Sequence, residues 1–139
     1  MGSTRFPGKM LQLLGSYPIL EWVLRRVSRA KLIDEVVLAT SDRSLDDSLV
    51  ELANRIGIEV FRGSESDVLG RFAEAANHYH AKTVLRICAD NPFVDPDELD
   101  RLVREFSENL CDYACNQQDR LDSQYADGFG SEILSNQLL

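Results

Sequence analysis

The sequence predicts an α/β fold, with a mostly parallel sheet and helices on both of its faces. Two observations lead there. Segments with the apolar spacing of helices alternate along the chain with short apolar runs, and such alternation builds crossover units on a parallel sheet. One of the runs, 35–40, is almost continuously apolar, as a strand covered on both faces is, and 83–89 reads as another strand. At 139 residues, 44% hydrophobic and 27% charged, the chain suffices for one core and reads as a single domain over 1–139.

Each element has its own signal. Residues 1–17 read as loop, punctuated by Gly2, Pro7, Gly8 and Gly15, with a short apolar piece at 10–14. Pro18 suits the first turn of a helix, and Ile19, Trp22, Val23, Val27 and Ala30 follow with helical spacing. Arg25, Arg26, Arg29 and Lys31 crowd its end, where cations suit the helix dipole. The strand at 35–40 ends in the polar pair Ser41-Asp42. Ser44, with Asp47 three residues on, approximates a capping box for a helix striped by Leu45, Leu49, Leu52 and Ile56 and stopped by Gly57. Residues 58–61 alternate as a short strand, and 62–66 form a polar loop. Ser66 or Asp67 caps a third helix bearing Val68, Leu69, Phe72, Ala75, Ala76 and Tyr79. The strand at 83–89 ends in Asp90-Asn91-Pro92, and Asp95 or Pro96 opens a fourth helix with Leu99, Leu102, Val103 and Phe106. A short strand at 112–115, a loop at 117–130 and a last strand at 131–134 complete the series, with Leu139 in the first turn of a further helix.

The net charge of -8 argues against a nucleic-acid partner and against an anionic membrane surface. No apolar run is long enough to span a bilayer, and no signal-peptide pattern occurs. Cys88, Cys111 and Cys115 contain no Cys-x-x-Cys pair, so they read as buried or partly buried thiols of a reducing, cytoplasmic compartment. Cys111 and Cys115 would suit a metal only on a helix, and that segment reads as a strand. His78 and His80 read as solvated helix-end residues.

In open parallel sheets the ligand lies outside the carboxyl ends of the strands. The residues expected there are the opening loop, Asp42, the 62–67 loop and Asp90-Asn91. The opening loop, Gly2-Ser3-Thr4-Arg5-Phe6-Pro7-Gly8-Lys9, offers backbone N–H groups and two cations to a phosphate, just ahead of an amphipathic helix. Asp90 offers a strand-end carboxylate to a Mg²⁺ bridging phosphates. Arg62, Ser64 and Ser66 offer contacts to a base or ribose. Cations, a metal carboxylate and loop amides are the parts for substitution at a phosphate. The competing reading leaves Arg5 and Lys9 solvated and makes Asp90 a turn former.

The opening loop closely resembles the phosphate loop of the cytidylyltransferases that make CMP-activated acidic sugars. These include the acylneuraminate and 3-deoxy-manno-octulosonate cytidylyltransferases, and above all their spore-coat polysaccharide biosynthesis branch. The resemblance continues through Pro18-Ile19-Leu20-Glu21, Phe61-Arg62-Gly63-Ser64-Glu65-Ser66-Asp67-Val68-Leu69-Gly70-Arg71, Arg86-Ile87-Cys88-Ala89-Asp90-Asn91-Pro92-Phe93 and Asp127-Gly128-Phe129-Gly130-Ser131-Glu132. It implies a Rossmann-like nucleotidyltransferase fold. It implies that a sugar hydroxyl attacks the α-phosphate of CTP and pyrophosphate leaves, in surface-polysaccharide biosynthesis. By motif position Arg5 and Lys9 would neutralise phosphate charge, and Gly2, Ser3, Thr4 and Gly8 would shape the cradle. Arg62, Ser66 and Asp67 would lie near the nucleoside, Asp90 would hold Mg²⁺, and Glu132 falls near a second acidic metal position.

Departures from the family pattern add expectations. The family has an apolar strand directly before the loop, so the first strand is expected to be missing here. Gly130 stands where the family commonly has an acidic residue, and a carboxy-terminal part that serves the sugar site and the dimer is also expected to be missing. Neighbouring strands would then carry open edges, which leads to the expectation of a homodimer or a strand exchange. Two other functions fit the same residues: a nucleotide-binding or interaction module without turnover, and a nucleotide-sugar-dependent glycosyltransferase.

Overall fold

A computed structural model describes residues 8–116 and 130–139 of the chain. Gly8 takes the left-handed conformation, with φ of 69°, and turns the chain into one 3-10 turn at Lys9–Leu11. A two-residue hairpin follows, β1 (Leu13–Leu14) against β2 (Tyr17–Pro18), turning through Gly15 at φ 65°. The sequence reads this stretch as loop, because strands of two residues have no period to detect. Trp22 Nε1 donates to the Leu14 carbonyl at 2.7 Å and Ile19 N to the Gln12 carbonyl at 3.0 Å, which ties the hairpin to the helix behind it.

That helix, α1 (Ile19–Val27), is the central fixture of the fold. It carries two neighbouring stripes, each with i,i+4 spacing. Leu20 and Leu24 enter a cluster with Leu38 of β3 (Val37–Ser41) and with Leu49, Leu52 and Ala53 of α2 (Asp47–Arg55). Val23 and Val27 enter a second cluster with Val94 and with Leu99 of α4 (Pro96–Glu108), backed by Leu85 and Ile87 of β5 (Thr83–Ile87). Each fully buried side chain of this size contributes about 1.5–3 kcal/mol.

The strands beneath α1 form two ladders. β3 pairs in parallel with β4 (Glu59–Gly63), Leu38 opposite Val60 and Ala39 opposite Phe61. β5 pairs antiparallel with β7 (Ser131–Ser135), which pairs antiparallel with β6 (Tyr113–Cys115), in the order β5-β7-β6. The α/β class holds, but the mostly parallel sheet of the expectation is one parallel pair and one antiparallel trio. Among the described residues β3 and β5 each keep one edge without a ladder partner.

Strand parity assigns the helices to faces. Leu38, Val60, Leu85 and Ile87 point to α1, α2 and α4. The intervening residues point the other way, where α3 (Val68–His78) lies: Phe61 meets His78 with ring centroids 5.8 Å apart, and the Arg86 guanidinium stands 5.9 Å from the Phe72 ring.

Caps follow the sequence in two helices out of three. Asp67 accepts from Gly70 N at 2.8 Å and starts α3, and Asp95 accepts from Asp97 N at 2.9 Å and starts α4 with Pro96 at its first position. The Ser44 box does not form. The chain instead enters α2 through a 3-10 turn at Ser44–Asp46 without a side-chain cap. The buried Asp46 carboxylate accepts from Thr40 Oγ1 at 2.8 Å and Ser41 Oγ at 2.6 Å, so it fixes the end of β3. Cys88 is partly buried, whereas Cys111 and Cys115 are exposed, contrary to the expectation of buried thiols. The chain's last residues form a 3-10 turn, Asn136–Leu138. Among the described residues no helix is long and apolar enough to cross a membrane.

Candidate functional site

The carboxyl ends of β3, β4 and β5 carry the chemistry-bearing residues. Met10, Leu11 and Ala89 all pack against the cluster that contains Leu38. This brings the segment before α1 and the segment after β5 together beside β3. There Lys9 Nζ donates to Asp90 Oδ2, joining residues 81 positions apart. Their side chains are 33% and 36% exposed, so a ligand reaches both. Gly8 supplies the turn that aims Lys9. Gly2, Ser3, Thr4 and Arg5, the remainder of the expected cradle, lie outside the described residues.

The turn after β5 is held from within. Asn91 N donates to the Cys88 carbonyl at 3.1 Å and Val94 N to the Asn91 carbonyl at 3.2 Å. Asn91 Nδ2 donates to the Gly130 carbonyl at 3.2 Å, fastening the start of β7 beside Asp90. Gly130 thus contributes a carbonyl where the family commonly carries an acid.

At the neighbouring strand ends, Asp42 N donates to the Gly63 carbonyl at 2.9 Å. Arg62 spends its fork on the segment after β3: Nε on the Ser41 carbonyl at 3.1 Å, Nη2 on the Arg43 carbonyl at 2.8 Å and Nη1 on Asp47 Oδ1 at 2.7 Å. Ser66 Oγ lies 3.4 Å from Ser64 Oγ, which accepts from Asp67 N at 3.0 Å. Arg62, Ser66 and Asp67 therefore stand at one sheet end, with Arg62 clamping a loop and Asp67 capping α3.

Sequence reasoning assigned no role to Arg71. Its Nη1 donates to the Ser64 carbonyl, and its buried Nε has no hydrogen-bond partner among the described residues. The available signal was Gly63: a Cβ there would stand 3.1 Å from Arg71 Cγ, so the glycine makes room for the arm.

Glu132 belongs to a different cluster. Ladder register sets it opposite Arg86, four residues before Asp90 and on the α3 face. Its Oε2 accepts from Arg86 Nη1 and its Oε1 from Tyr113 Oη at 3.1 Å. The Glu132 hydrogen bond pushes the Arg86 pKa up, against the desolvation of partial burial. Partial burial, followed by the hydrogen bond to Glu132, pushes the Tyr113 phenol up to about 12.

These donor sets differ in their fit to a metal. Magnesium takes one or two carboxylates and completes its shell with phosphate oxygens and water. Asp90 fits that use, being about one third exposed at a strand end beside a cation. Glu132 has both oxygens engaged. Among the described residues no group of three or more acids, histidines and cysteines gathers as a ready-made cage.

Comparison with known proteins places the chain in a family. Residues 1–127 match a family model described as cytidylyltransferase. The spore coat polysaccharide biosynthesis protein SpsF of Bacillus subtilis is 40% identical over 117 residues, covering 81% of this chain and 49% of that protein. The 3-deoxy-manno-octulosonate cytidylyltransferase of Geobacter sulfurreducens is 33% identical over 109 residues, covering 77% and 42%. The solved structure of a cytidylyltransferase from Leptospira borgpetersenii superposes with a TM-score of 0.91 at 34% identity, covering 99% of this chain and 58% of that one. The chain spans about half the length of the curated relatives it matches.

Proposed function

We propose a function from one premise: this chain belongs to the cytidylyltransferase family. It transfers CMP from CTP to the hydroxyl of an acidic sugar and releases pyrophosphate, in the biosynthesis of a surface polysaccharide. The observation that carries this reading is the meeting of Lys9 and Asp90, a cation and a carboxylate 81 positions apart brought to one accessible position. Lys9, with Arg5, would take polyphosphate charge, and Gly2, Ser3, Thr4 and Gly8 would contribute backbone donors. Asp90 would hold Mg²⁺, which supplies charge neutralisation on the phosphates. The turn built by Ser64, Ser66 and Asp67 borders the place for the nucleoside, and Arg62 and Arg71 hold that border in shape. The edges of β3 and β5 that have no ladder partner among the described residues favour assembly as a homodimer, and the cytoplasm, with its CTP pool, is the proposed location.

Incubation with CTP, Mg²⁺ and a panel of acidic sugars tests the reading through pyrophosphate release. Release with at least one acidic sugar is expected, and none with any sugar overturns turnover. A second reading, a nucleotide-binding module without turnover, is favoured by the engagement of Glu132 and by Gly130. Mg²⁺-dependent CTP binding without pyrophosphate release separates it from the first.

A further inference from the structure

We propose that Lys9 and Asp90 form a latch: each occupies the other until a metal-bound polyphosphate takes both, so metal and polyphosphate bind together and poorly alone. The inference rests on the site assignment above and concerns how that site selects the form of its ligand.

Among the described residues Asp90 is the one partner of the Lys9 side chain. Lys9 opens the 3-10 turn and Asp90 sits on the turn after β5, and both are about one third exposed. Other ion pairs nearby are anchored differently. Arg62 has three acceptors, and Arg86 and Glu132 face each other across a ladder with Tyr113 added. The Lys9–Asp90 pair has no such support, so a ligand can displace it.

Charge accounts for the selection. A bare polyphosphate finds Lys9 neutralised and meets the carboxylate of Asp90 beside it. A bare divalent cation finds Asp90 neutralised and meets the ammonium of Lys9. The metal–polyphosphate complex offers Asp90 a cation and Lys9 an anion in the same event, so the broken pair is replaced on both sides. Such coupling is reciprocal: metal tightens polyphosphate binding as much as polyphosphate tightens metal binding. The consequence is discrimination against metal-free nucleotide and against free metal.

A double-mutant cycle in the full chain tests this, read by calorimetric titration with inorganic pyrophosphate in chelator and with Mn²⁺ alone. Asp90→Asn is expected to bind metal-free pyrophosphate roughly three- to ten-fold tighter than the unaltered chain. That gain is expected to shrink in the Lys9→Ala background, where only relief of repulsion by the carboxylate remains. Lys9→Ala alone is expected to bind Mn²⁺ by a similar factor more tightly, through the released Asp90. An Asp90→Asn gain that persists undiminished in Lys9→Ala would mean simple repulsion by the carboxylate and overturns the latch. So does an additive cycle, and so does the absence of pyrophosphate and Mn²⁺ binding in every variant. A non-additive cycle in a protein without preference for CTP over other triphosphates keeps the latch and removes the cytidylyl reading.

Discussion

Two carboxylates near β5 have cationic partners, and they are held in opposite ways. Glu132 lies inside a ladder, its partner Arg86 fixed by strand register, with Tyr113 bonded to its second oxygen. Asp90 lies four residues beyond Arg86, on a turn, with Lys9 reaching it from 81 positions earlier in the chain. The Glu132 side chain is 22% exposed and the Asp90 side chain 36%. Backbone register dictates the first pair, whereas the second depends on two turns and is exchangeable. A carboxylate whose oxygens are both engaged holds structure together, and one with an accessible, single-partner arrangement is available to a ligand.

The largest effect expected from breaking this contrast is catalytic. Asp90→Asn keeps the shape of the side chain and removes the charge that would hold Mg²⁺. Turnover is expected to fall by about a hundred- to a thousand-fold, the size typical of losing one charge-stabilising group. Stability should change by less than about 1 kcal/mol, because the pair is solvent-exposed. Pyrophosphate release and thermal melting measured on the same sample check both halves. A large loss of stability with turnover retained would reverse the roles assigned to the two carboxylates.

The contrast shows what was legible in the sequence. Caps at Asp67 and Asp95 are local, set by a side chain and a backbone N–H two or three residues away, and they were found. The strands at 37–41 and 83–87 were found because their runs are short and largely apolar and lie between segments with helical spacing. Ser44 failed as a cap because Asp46 is drawn to Thr40 and Ser41 at the end of β3, a tertiary contact that no local motif encodes. The antiparallel trio was missed for the same reason: nothing local states that β7 inserts between β5 and β6. For the site, the rule that ligands lie at strand ends gathered Asp90, Arg62 and Ser66 at one edge. It did not reveal that Arg62 is consumed by the loop at 41–47, nor that Glu132 faces Arg86. Those depend on side-chain reach and on register between distant strands.

A smaller effect is expected on the structural side. Arg86→Ala leaves Glu132 partly buried without its cation, and unfolding free energy in urea should drop by about 1–2 kcal/mol, a charged hydrogen bond discounted for solvent exposure. Glu132→Gln should cost less, since the amide oxygen still accepts from Tyr113. Neither change should move the Mg²⁺ concentration at half-maximal CTP binding. A marked shift of that midpoint in Glu132→Gln would make Glu132 a metal ligand and dissolve the distinction between the two carboxylates.

The smallest effect is a pH slope. An unfolded tyrosine loses its proton near 10, whereas folded Tyr113 holds it until about 12. Between those values the folded state binds more protons than the unfolded state, so stability declines as pH rises. The Tyr113 contribution is therefore complete below pH 10 and gone above about 12. Tyr113 is largely exposed, which keeps the contribution small. The measurement is the difference between the unaltered chain and Tyr113→Phe in urea unfolding, followed from pH 9 upward, since other groups titrate equally in both. A difference that shrinks across this window assigns Tyr113 to the Glu132 cluster as a proton donor. A difference that stays flat would mean Glu132 holds Arg86 unaided, and the structural cluster would reduce to the ladder pair.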